Sequence, residues 1–215
     1  MLKAILDFVL ANPTVVTVTS GVVLAFIGYF AKYLNDLAIA RRRDRLDRVN
    51  AQLRLLYGPL FALDQATAVA WQEFRKKNKP GEPYFSASRP PTDLQLEAWR
   101  LWMSKTFMPL NRRMMEAIVS NADLLEGEMP SEFLALVAHV TAYEVVLARW
   151  EKNDFSEHVS VINFPSGLRS KVTADYQMLR AEQRRLLASK GMKDPESKTA
   201  RAPEATPTSM PHPDN

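Results

Sequence analysis

No cysteine occurs anywhere in the 215-residue chain. A disulfide scaffold, a thiolate zinc site, a Cys nucleophile and an iron–sulfur cluster are therefore excluded. Glycine is scarce, at seven residues, which leaves little room for a glycine-rich loop that cradles phosphate. Histidine is scarcer still: His139, His158 and His212 are the full set. Strand-like alternation does not extend beyond the few residues of Val159-Ser160-Val161-Ile162. Charge is missing from one long stretch, since nothing ionisable as Asp, Glu, Lys or Arg lies between Asp7 and Lys32. These gaps remove many enzyme classes and point to a helical protein with unevenly placed charge.

The uncharged stretch comes first. From Thr14 to Ala31 the chain reads TVVTVTSGVVLAFIGYFA, which as a helix is about 27 Å long at 1.5 Å per residue. That approaches the roughly 30 Å hydrocarbon thickness of a bilayer. Asn12-Pro13 offers an N-cap followed by a proline at the first helical position, where its missing N–H costs nothing. Tyr29 and Tyr33 fall where an interfacial aromatic belt would sit, and Lys32 can extend its ammonium to headgroups. Residues 13–33 are thus read as one transmembrane helix, a signal anchor. A cleaved signal peptide would carry its positive charge before the apolar run, whereas here the arginines follow it. A buried core helix would show an apolar stripe, whereas this run is apolar all round.

The net charge of +4 is concentrated just after the span. Lys32, Arg41, Arg42, Arg43, Arg45, Arg48 and Arg54 outnumber Asp36, Asp44 and Asp47 there. Positive residues flanking a span stay on the cytoplasmic side. The expected topology is therefore a short extracytoplasmic N-terminus, residues 1–12, with the rest in the cytoplasm. In a prokaryote the membrane would be the inner one. Lys32, Arg41, Arg42, Arg43, Arg45 and Arg48 are the topology residues and candidates for contact with an anionic membrane surface, at about 1 kcal/mol each. A charge excess this local does not resemble a nucleic-acid binder.

Beyond the span the periodicity is helical. Leu46, Val49, Leu53, Leu56, Leu60, Leu63, Thr67, Ala70 and Phe74 form a heptad seam of coiled-coil type. Leu55, Tyr57, Phe61 and Trp71 broaden it to bundle width. Tyr57-Gly58-Pro59 should kink it, dividing a basic juxtamembrane helix, 34–57, from a helical domain, 58–190. Residues 78–92 hold four prolines and read as a linker. Thr92 and Gln95 form a capping box that opens the next helix, whose seam is Leu96, Trp99, Met103, Phe107, Leu110, Met114 and Ile118. A third helix starts at Pro130-Ser131 and a fourth covers about 165–189, with Gly191 just past its end. Residues 191–215 are proline-rich, with little to bury, and are expected to be disordered. The fold class expected is all-α: a transmembrane helix, then a cytoplasmic antiparallel four-helix bundle and a loose tail.

Candidate sites are few. His139 lies beside the third seam, and no Glu-x-x-His pair accompanies it, so no metal ligand set and no cofactor is expected. Asp154, Ser156 and His158 share a loop without a nucleophile-elbow motif, and no catalytic residue is assigned. The same loop is apolar, and Phe155, Val159, Ile162 and Phe164 form a candidate partner-contact surface if they do not pack over the bundle end. The run Phe74-Arg75-Lys76-Lys77-Asn78-Lys79 reads as a solvated helix end with a weak resemblance to a headgroup patch. Within the span Thr17, Gly21, Ala25 and Gly28 form a small-xxx-small face suited to homo-oligomerisation. The functional expectation is a single-pass, membrane-anchored, non-enzymatic interaction module, adaptor, scaffold or sensor, with a protein partner still to be identified. The alternatives are a membrane-active effector whose oligomerising span perturbs the bilayer, and an unrecognised enzyme at Asp154 and His158.

Overall fold

The computed structural model describes Ala11, residues 13–81 and residues 83–191. The Asn12 cap, residues 1–10 and the tail from 192, with His212, lie outside the described residues. Among the described residues the secondary structure is four long helices and a short 3-10 turn, Ala122–Leu124, with no strand. Helix α1 covers residues 13–78 as Pro13–Ala51, a π-helical segment Gln52–Tyr57, and Gly58–Asn78. Helix α2 covers residues 93–120 as Asp93–Trp102, a second π-helical segment Met103–Phe107, and Met108–Ser120. Helix α3 is Ser131–Glu151 and helix α4 is Leu168–Gly191.

Both π segments precede a proline, and the chemistry explains why. An α-helical Pro59 would leave the Leu55 carbonyl without its donor and press its ring on that carbonyl. The chain widens by one residue instead: Gly58 N–H donates five residues back, to Leu53 O. The Leu55 carbonyl accepts from Asn121 Nδ2 at 3.2 Å. A Cβ on Gly58 would fall on the Leu53 carbonyl oxygen, so only glycine fits there. Met108, just before Pro109, repeats the device by donating to Met103 O. The expected kink at Tyr57-Gly58-Pro59 is thus a π-helical widening inside one continuous helix.

The seams bury as their spacing implies. Leu56, Leu60 and Phe74 of α1, Met108, Met114 and Ile118 of α2, Phe133, Leu136 and Val140 of α3 and Leu168 of α4 are all fully buried in one apolar core. Burial begins at Val49, within the segment read as juxtamembrane. Thr92 and Gln95 do form the capping box. Helix α4 starts at Leu168, after a turn in which Leu168 N–H reaches Pro165 O.

Contacts between helices are specific. Phe61 stacks on Tyr176 with centroids 4.5 Å apart. Arg169 Nε donates to Asp64 Oδ2 at 3.0 Å, and Gln183 Nε2 to Asn50 Oδ1 at 2.6 Å. Gln95 Nε2 of α2 donates to Asn78 O of α1, and Gln52 Nε2 of α1 to Leu124 O in the turn that follows α2. Arg112 grips Glu144 with two bonds of 2.6 and 2.7 Å, joining α2 to α3.

The first part of α1 is different. Val22, Val23, Leu24, Phe26, Ile27 and Phe30 are all at least half exposed, and no part of this apolar window is buried within the protein. This helix is long and apolar enough to cross a membrane. Helix α3 passes the same test of length and apolarity, yet its Phe133, Leu136, Val140, Tyr143, Val146, Leu147 and Trp150 are core.

Candidate functional site: an aromatic cavity beneath the 152–167 loop

Buried Trp, Tyr and His rings each carry a polar tip that needs a partner. Here the partners are loop carbonyls. Trp99 Nε1 of α2 donates to His158 O at 2.7 Å, and Tyr143 Oη of α3 to the same oxygen at 3.0 Å. Trp150 Nε1 donates to Glu157 O at 2.8 Å. His139 Nδ1 lies 2.7 Å from Ile162 O, and since a carbonyl only accepts, Nδ1 carries the proton. Four ring donors thus pin the backbone of residues 157–162 against α2 and α3.

The loop side chains divide accordingly. Val159, Ile162 and Phe164 line a cavity of about 350 Å³, with Phe164 edge-on to His139. Phe155 sits outside it, under the Arg100 guanidinium at 4.2 Å. On the α1 and α2 side the walls are Trp71, Trp99 and Phe107, with Trp71 edge-on to the other two at 5.9 and 5.8 Å. Asn111, His139 and Ser160 are buried polar residues on the lining, which Thr67, Asn163 and Arg169 also reach. Burial pushes His139 below its ordinary 6.5, opposed by the bond to Ile162. It is therefore neutral at pH 7, with its lone pair on Nε2. Burial likewise raises the phenol of Tyr143 and that of Tyr57, to about 12.

This has a measurable consequence. A histidine whose folded pKa is depressed favours the native state fully above 6.5, and the contribution is lost as pH falls from there through the folded value. His158 is shifted the same way by burial. The urea midpoint of the detergent-solubilised chain should therefore fall between about pH 7 and pH 5.5, with a shallower fall for His139→Phe. An unchanged slope in that variant would remove His139 from the account.

Asp154 Oδ1 accepts from Ser156 N and Oγ at 3.0 and 2.6 Å, and these bonds hold its carboxyl below the usual range. His158 takes no part in them; its Nδ1 is buried without a partner. The serine, histidine and aspartate are therefore not assembled into a relay. No group of three or more His, Asp or Glu able to hold a metal ion occurs among the described residues. Lys79, read as a solvated residue, is buried, donating its ammonium to Tyr84 O at 2.8 Å and to Arg89 O. Arg75 lies over Trp71.

The arginine collar is partly committed to the protein itself. Arg45 makes a two-bond fork with Glu182 at 2.7 and 3.1 Å and reaches Glu126 at 2.7 Å. Arg45 in turn holds the Glu182 carboxyl below its usual range. Arg42 donates to Leu186 O from both Nε and Nη2, and Arg48 approaches Glu126 at 4.0 Å. Lys32, Arg41 and Arg43 are exposed. Arg48 lies roughly 22 Å along α1 from Tyr33, beyond a Debye length of about 8 Å. In the span, Thr17, Gly21, Ala25 and Gly28 are exposed.

Asn111 and the ring–carbonyl bonds escaped the sequence reading. A single polar residue one position past Leu110 of the seam is weak as a signal, and the loop carbonyls carry none. Comparison with protein-family models, with curated proteins and with solved structures returns no match.

Proposed function

We propose that the chain is a single-pass, membrane-anchored, non-enzymatic helical interaction module, an adaptor, scaffold or sensor. Residues 1–12 lie outside and the helical domain in the cytoplasm. The observation that carries this reading is the continuity of α1. One helix contains both an apolar stretch that nothing in the protein covers and the fully buried Leu56, Leu60 and Phe74. An uncovered apolar surface of that size is stable in lipid and not in water. A rigid helix shared by span and core also couples movement of one to the other.

In this reading the domain is an antiparallel four-helix bundle. Supporting it are the partners of Arg45, Phe61 and Asp64, which are Glu182, Tyr176 and Arg169: numbers fall along α4 as they rise along α1. The lysine and arginines set topology through their side of the membrane. Arg42 and Arg45 in addition clasp α4 to the base of α1. The non-enzymatic part is supported by the turn that occupies Asp154 and Ser156.

The partners proposed are the bilayer, a second copy through the Thr17, Gly21, Ala25 and Gly28 face, and a protein on the bundle surface. An added Cβ at Gly21 or Gly28 meets nothing within 4 Å, so a second helix can approach. Mild-detergent purification of the full chain with crosslinking tests this. A dimer or higher species is expected, reduced several-fold by Gly21→Leu. A monomer with no stoichiometric partner would contradict the module reading.

A further inference from the structure

The aromatic cavity has the size, wall chemistry and unmatched polarity of a ligand site. At about 350 Å³ it is roughly twice an apolar cavity that holds benzene, so two fused rings fit. Its walls present indole and phenyl rings from three parts of the fold, Trp71 on α1, Trp99 and Phe107 on α2, and Phe164 on the loop. Rings arranged edge-on and offset receive another flat ring well.

The polar groups narrow the class further. Asn111 lines the cavity, is 3% exposed, and its Oδ1 is buried with no hydrogen-bond partner. An unsatisfied buried amide oxygen is costly and seeks an N–H or O–H. His139 has spent its Nδ1 proton on Ile162 O, so its remaining ring nitrogen also accepts. Asn111 Oδ1 and His139 Nε2 therefore both ask for a donor, beside the buried Ser160 hydroxyl, which accepts from Ile162 N. A cation would find aromatic faces but no lining carboxylate, and it would meet Arg169 instead. Arg169 is paired through its Nε with Asp64, so its charge is already partly neutralised for an anion. Trp71 is also roughly 55 Å further along α1 than Tyr33 at 1.5 Å per residue. The ligand consequently arrives from water and not from the bilayer.

We propose that this cavity binds a small, uncharged, planar aromatic molecule with one N–H or O–H donor, of the indole or phenol class, stacked among Trp71, Trp99 and Phe107 and donating to Asn111 Oδ1. The site goes beyond the membrane-module reading and is independent of it, because every residue that forms it lies outside the span.

Calorimetric titration of the full chain in nanodiscs, against empty nanodiscs, tests the proposal with indole, N-methylindole and the tryptammonium cation. Indole should bind saturably, and N-methylindole about tenfold more weakly because it cannot donate. Asn111→Leu should bring the two affinities together, and Trp71→Ala should weaken both. The ratio within one variant is insensitive to modest loss of fold, and circular dichroism identifies a variant that has not folded. No saturable indole binding, an unchanged ratio in folded Asn111→Leu, or tighter binding of tryptammonium than of indole would each overturn it. Failure of this titration leaves membrane insertion intact, since the span is read by fractionation.

Discussion

Phe74→Ala is expected to destabilise the helical domain by about 3–5 kcal/mol, the range for a buried phenylalanine truncated to alanine. Phe74 is fully buried and is the hub of the aromatic cluster. Its ring centroid lies 5.0 Å from that of Tyr84, 5.4 Å from Trp102, 5.8 Å from Trp71 and 5.9 Å from both Trp99 and Phe107. Those neighbours belong to α1, the linker and α2, so the void cannot be closed by moving one element. A domain stable by about 5–15 kcal/mol would lose a large part of its margin. Urea midpoints in detergent should show the loss, against Val69→Ala at an exposed site, where a change within about 0.5 kcal/mol is expected. Equal effects at the two positions would mean that the seam of α1 is misassigned.

The second large effect concerns the span. Leu24→Arg with Ile27→Arg should move the chain out of the alkali-resistant membrane fraction. Val15, Val16, Val18, Val22, Val23, Leu24, Phe26, Ile27 and Phe30 favour insertion by about 0.3–0.6 kcal/mol each, while a central arginine opposes it by about 2.5–3.5 kcal/mol. Two arginines therefore outweigh what the remaining apolar residues contribute. The same pair of substitutions at Val69 and Leu94, both exposed, should leave the fraction unchanged. Persistence of the double-arginine chain in the membrane after alkaline extraction would show that another segment anchors it.

Local pattern reveals some of this molecule and long-range pairing conceals the rest. Leu60, Met114, Val140 and Leu168 announce their burial because helical spacing repeats, and Thr92 with Gln95 announces a helix start because capping is a contact over three residues. Pro59 marks a disturbance, but whether a proline breaks or widens its helix depends on what receives the freed carbonyl. Here that is Asn121, far along the chain. The arginine collar is the clearest instance of a double role. Its composition reads as a membrane signal, while Arg42 and Arg45 meet Leu186 and Glu182, more than 130 residues away. The cavity is the least legible feature, since it exists only once α1, α2, α3 and the loop meet. Asn111 and His139 become a pair of acceptors through that meeting alone.

The two roles of the collar can be separated by substitution. Loss of Arg45 should loosen α4 without altering topology, whereas topology depends on the sum of positive charge beside the span. That sum, together with the uncovered helix that precedes it, underlies the whole functional reading.

Single-cysteine labelling is its most direct test, and a chain without native cysteine suits it. Asp7→Cys and Ala87→Cys, each in an otherwise unaltered full-length chain, are exposed to a membrane-impermeant maleimide in intact cells and again after permeabilisation. The account predicts that the variant at position 7 is labelled in intact cells and the variant at position 87 only after permeabilisation. Labelling of position 87 in intact cells, or of neither position until the membrane is opened, would contradict it.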